Sequence, residues 1–155
     1  MNIMGKVIDL EETFLERAER LRLLALKFFP WTELDRVMIE WVEPFHKSMS
    51  ARGRVAVEEA VYRLAFDSFV MGLKHCRVAL EQGAADTWEY RRWFFQVFGE
   101  EADQLFQKAA EDFQLFQVLE DMVCQSVWLV LEEVVPQWFF LGTNEGKQLR
   151  KQRML

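Results

Sequence analysis

The chain has 155 residues, of which 51% are hydrophobic and 14% aromatic, and it carries a net charge of −6. That length suits one domain with a real core, and the apolar content excludes a disordered chain. The acidic balance argues against a general nucleic-acid binder.

Seven Gly and three Pro are few, which favours helices over a turn-rich β protein. The segment Met1–Val7 has no clear period and reads as an arm. Met1–Leu10 carries Lys6 and Asp9 and shows no long apolar run of the kind a secretory leader needs, so no signal peptide is expected. From Leu10, the residues Phe14, Ala18, Leu21, Leu24 and Phe28 return every three or four positions, the period of one helical face, and Pro30 ends that helix. Thr32 is the expected cap of a second helix, with Leu34, Val37, Met38, Trp41, Val42 and Phe45 on its apolar side. Pro44 lies inside this pattern and removes a backbone donor, so a kink or an end is expected there.

Ser48–Gly53 reads as a loop, and Val55–Leu80 as a third helix with Val57, Val61, Leu64, Phe69, Leu73, Cys76 and Leu80 inward. Gly72 in its middle is expected to let another helix approach closely, and Gly83 to cap its end. Asp86 with Glu89 has the spacing of a capping box for a short aromatic helix that Gly99 ends. The stretch Gln104–Leu141 is the longest apolar periodic segment and is expected to form the central helix, unbroken or bent near Asp112. Pro136 should stop or kink it.

Gly142–Leu155 differs in character. Lys147, Arg150, Lys151 and Arg153 stand against Glu145 alone, a net of +3 that leaves −9 on the remainder. Gly142, Thr143, Asn144 and Gly146 are poor helix formers and are expected to make a joint. The organisation expected is therefore an all-α single-domain bundle of five or six helices over residues 1–141, with a flexible basic tail over 142–155. The longest uncharged runs, Met122–Leu131 and Val134–Asn144, fall short of the roughly 18 residues of a spanning helix, so no transmembrane segment is expected. Cys76 and Cys124 read as free thiols in a reducing compartment, and the cytoplasm is the expected location.

No stretch carries the residue types and spacing of a known chemistry, and no cofactor is expected. Glu43 and His46 form one Glu-x-x-His pair, half of the pattern used by ferritin-like di-metal bundles. Gly72 stands three residues before His75, so the second pair is missing. His75 and Cys76 point about 100° apart on a helix and cannot face each other as a dyad. The acidic pairs, Glu132–Glu133 above all, suit either a hard cation or a solvated face. Fourteen Phe and six Trp exceed what one small core easily hides. The group Trp88, Trp93, Phe94, Trp138, Phe139 and Phe140 is the expected interface of a protein that binds another protein, itself included, as a two-fold homodimer. Two rival readings remain: a metal-dependent enzyme or carrier using Glu43 and His46, and a nucleic-acid or membrane-surface adaptor acting through Lys147, Arg150, Lys151 and Arg153.

Overall fold

In the computed structural model, residues 3–79, 85 and 87–155 are described, with residues 3–9 described for the backbone alone. Among these residues the fold is all-α, as expected. The helices are α1 (Ile3–Phe28), α2 (Trp31–Val37), α3 (Ala51–Lys74), α4 (Trp88–Asp112), α5 (Leu115–Val118) and α6 (Asp121–Lys151). The expected positions Leu80, Gly83 and Asp86 lie outside the described residues.

The core is built on α3 and α6. Gly72 lies against Gly142 so closely that a Cβ on Gly72 would meet the Phe139 carbonyl oxygen and stand 2.9 Å from the Gly142 Cα. Four residues further along both segments, just past the end of α3, a Cβ on Gly146 would stand 2.7 Å from the Cys76 Cβ. At the other end, Gly53 faces Val118 and Leu119. Contacts thus advance together along both chains, so the two helices run in the same direction. Backbone approach this close requires glycine, which is the role expected of Gly72. Val57, Val61, Leu64, Phe69 and Leu73 of α3 are buried with Val127, Leu131, Val134, Trp138 and Phe139 of α6.

The same contact explains why residues 142–151 are not the expected joint. Gly142, Thr143, Gly146 and Leu149 are buried helical residues of α6. Their weak intrinsic propensity, about 1 kcal/mol per Gly, is outweighed by packing on α3. Pro136 is also buried and helical, and α6 continues through it to Lys151. The expected central helix is in fact two. Gln114 takes a left-handed conformation (φ 53°) and Leu119 an extended one, which separates α4 from α6 around the short α5.

Other local readings hold or shift for identifiable reasons. α1 ends at Phe28, before Pro30, but it starts at Ile3, so the expected arm is helical from there. Thr32 does not cap α2, whose N-cap is Pro30. The chain after α2 loosens into a π-helical turn (Met38–Val42) and then tightens into a 3-10 helix (Glu43–Ser48) with Pro44 in its first turn. That is the disturbance a proline without N–H imposes. Ser50 caps α3, its hydroxyl accepting from the Gly53 N–H at 3.0 Å. Thr87 caps α4 by accepting from the Tyr90 N–H at 3.3 Å. Gly99 does not end α4. The helix only kinks beside it, at Phe98 (φ −116°, ψ 17°).

Two kinds of glycine therefore respond oppositely to alanine. Gly72→Ala or Gly142→Ala must push α3 and α6 apart and is expected to destabilise by about 1–3 kcal/mol or more. Gly99 has nothing within 4 Å of a built Cβ, so Gly99→Ala is expected to stabilise by up to about 1 kcal/mol through helix propensity. Urea unfolding of the three variants checks both signs.

Candidate functional site

The expected aromatic interface is mostly core. Phe94, Trp138 and Phe139 are buried, at 0%, 1% and 0% exposure, and Trp93 and Phe140 are half-buried. Phe139 contacts the rings of Trp93, Phe94 and Phe98, with centroids 6.5, 4.9 and 4.7 Å away. Tyr90 and Phe140 meet edge-on at 5.1 Å. Helix α6 is covered on two sides, by α3 and by the aromatic start of α4, so neighbours such as Trp138 and Phe139 can both point inward. Of the six residues only Trp88 is exposed. The interface reading is corrected accordingly: a partner cannot reach Phe94, Trp138 or Phe139 in the folded chain.

Glu43 and His46 are not brought to a metal-binding cluster. The His46 Nε2 lies 3.6 Å from Glu58 Oε1, too long for a hydrogen bond. Among the described residues, no group of three His, Cys, Asp or Glu side chains converges. His75 packs on Phe98 with centroids 5.0 Å apart and the rings tilted at 50°, while Cys76 is buried against Gly146, so the two do not form a dyad. Burial, and secondarily Asp121, push the Cys124 thiol above its ordinary value, the opposite of an activated nucleophile. Glu132 and Glu133 are half-buried, and Glu133 pairs with Arg91 across α4 and α6.

The tail cations occupy one end of α6. Lys147, Arg150 and Lys151 line a groove with Phe28, Pro30, Phe69 and Phe140, whose volume is about 990 Å³. Arg153 follows the helix end in a left-handed conformation and is exposed. None of the four makes an ion pair among the described residues. The segment is held to the body by Gly142, Gly146 and Leu149, so the charged docking expected of a free tail is not the contact that forms.

The surface feature that composition and spacing did not single out is on α1. Its apolar stripe begins at Leu21, Ala25 and Phe28, which pack against the body, with Ala25 fully buried and Leu24 half-buried beside them. The stripe continues on the same face to Ala18, Phe14 and Leu10, but every residue from 10 to 20 is exposed. Leu10, Phe14 and Leu15 are 61%, 67% and 70% exposed. A helix of 26 residues is roughly 39 Å long, and its residues 10–20 stand clear of the bundle. Leu23 and Leu26 add exposed apolar side chains on another side of α1. The periodicity of this face was legible, but the absence of a cover was not, because a covered and an uncovered stripe have the same spacing.

A second apolar patch joins Phe116, Trp128 and Leu129, with Phe116 and Trp128 stacked at 5.9 Å. No described helix is long and apolar enough to cross a membrane. Compared with known proteins, the chain matches no family model, no curated protein and no solved structure.

One titration has a defined sign. Burial, with the neighbouring Lys74 charge, lowers the His75 pKa below its ordinary 6.5, against the opposing pull of Glu101. The unfolded chain then binds a proton more readily than the native chain. Stability from this site is complete above about pH 6.5 and falls as pH drops through that value towards the native pKa. His75→Phe is expected to flatten this part of the stability-against-pH curve, measured by thermal unfolding between pH 5 and 8.

Proposed function

We propose that the chain is a helical interaction protein that acts by binding another protein, with the first half of α1 as its recognition element. The observation that carries this reading is the exposed run of Leu10, Phe14, Leu15 and Ala18 on a helix whose continuation is packed on the body. A surface helix ordinarily turns its apolar stripe toward the core. Here the stripe extends past the core, and contiguous apolar surface of that kind is characteristic of interaction sites. A short helix without tertiary support is also marginal in water, so a partner that covered this face would stabilise it as well as bind it.

Amphipathic helices are recognised through apolar residues that recur every three or four positions on one face, and Leu10, Phe14 and Ala18 recur at steps of four. Their replacement leaves the α3–α6 core untouched. Leu10→Asp/Phe14→Asp is therefore expected to keep the parent's circular dichroism and melting temperature within a few degrees. It is also expected to lose the cross-linked species, with itself or with other proteins, that the parent forms under native conditions. If parent and variant give the same cross-linked species, the first half of α1 is not a recognition element and the reading is wrong.

A further inference from the structure

We propose that the C-terminal end of α6 binds an acidic peptide segment that also carries apolar side chains, in the groove it shares with the end of α1. The site is separate from the exposed half of α1, and charge names its occupant.

Phe140, Asn144, Lys147 and Lys151 follow one another at steps of four, three and four. Leu141, Asn144, Gln148 and Lys151 follow at steps of three, four and three. Both lines therefore share one face of the helix. It is the face turned away from α3, because Gly142, Gly146 and Leu149 hold the opposite side. Phe28 and Pro30, at the end of α1, border this face in the groove, and the buried Phe69 of α3 completes the lining. A segment lying along the face meets apolar surface at Phe140 and Leu141 and positive charge at Lys147 and Lys151.

In the groove, Lys147, Arg150 and Lys151 stand against Glu145 alone. Lys147 lies three residues from Arg150 and four from Lys151, the spacings at which like charges repel across a helical turn. None of the three forms an ion pair with an acid among the described residues. The helix dipole favours cations in a last turn, which suits Arg150 and Lys151. That effect falls off within the turn and does not offset Lys147, which lies in the turn before. Carboxylates of a bound segment would offset all three. Its apolar side chains would cover Phe28, Phe140 and Leu141, which are only half-buried.

The length of the site selects a peptide. From Phe140 to Lys151 the face is roughly 17 Å long, and the groove of about 990 Å³ is open. A small anion would satisfy the cations and leave the apolar start of the face bare. A nucleic acid would need a wider basic surface, whereas residues 1–141 carry −9.

The test is fluorescence anisotropy of the full chain with a labelled synthetic peptide. Glu-Glu pairs alternate with Leu-Phe pairs over about twelve residues, enough for the length of the face. One control peptide replaces every Glu by Gln, and another every Leu and Phe by Ala. The parent is expected to bind the first peptide with a Kd that rises with salt, because complementary charges are screened. Each control is expected to bind at least about tenfold more weakly. Lys147→Glu/Lys151→Glu is expected to weaken binding of the first peptide by at least about tenfold. It keeps the parent's circular dichroism, since neither side chain belongs to the buried core. Leu10→Asp/Phe14→Asp is expected to bind the peptide as the parent does, which keeps this test apart from that of α1.

No binding into the millimolar range overturns the proposal. So does binding that either control peptide reproduces, because charge and apolar surface are both required. Binding unchanged by Lys147→Glu/Lys151→Glu overturns the site. A single-stranded RNA oligonucleotide that binds through the same lysines as tightly as the peptide gives the groove to another occupant and overturns the proposal. A parent that dimerises through them in sedimentation equilibrium does the same.

Discussion

The contact between Gly72 and Gly142 sets the rest of the molecule. Two helices that run in the same direction with their backbones touching cannot be joined by a short turn. The chain must travel back along the bundle between them, and α4 makes that return, tied to α3 by the Arg63–Asp112 ion pair at 2.8 Å and to α6 by Arg91–Glu133. The aromatic start of α4 then closes the side of α6 that α3 leaves open. With α3 enclosed by α6, α4 and the turns around Val42, α1 finds a place for only its C-terminal half.

How much of this was legible in the sequence depends on the residue. The helical period of Val57, Val61, Leu64, Phe69 and Leu73 was sufficient for the inner face of α3, and Gly72 in the middle of that run pointed to a close helix approach. Its counterpart was missed. Gly142, Thr143 and Gly146 were read by intrinsic propensity as a joint, but glycines spaced four apart also make a groove for a neighbouring helix, and that tertiary gain outweighs the local cost. Pro136 was misjudged for the same reason. Propensity speaks for an isolated helix, while this one is held on two sides.

The aromatic residues carried a different lesson. Their number correctly suggested more apolar surface than one face can hide, but the clusters richest in rings proved to be the core. Trp138, Phe139 and Phe140 are consecutive and would line different sides of any helix. A helix covered on two sides can bury the first two and half-bury the third. The exposed apolar run of α1 is instead made of ordinary leucines and one phenylalanine, whose spacing is that of any core-facing helix. Nothing in one sequence distinguishes a stripe that meets its own bundle from a stripe that meets another molecule.

The central claim is that residues 10–20 of α1 are left without a cover in the single chain. Amide hydrogen exchange in dilute solution tests it most directly, because exchange reports the opening of each segment separately. The account predicts that amides of residues 10–20 exchange fast, while those of α3 and α6 stay protected. Protection of residues 10–20 equal to that of α3 and α6 would contradict it.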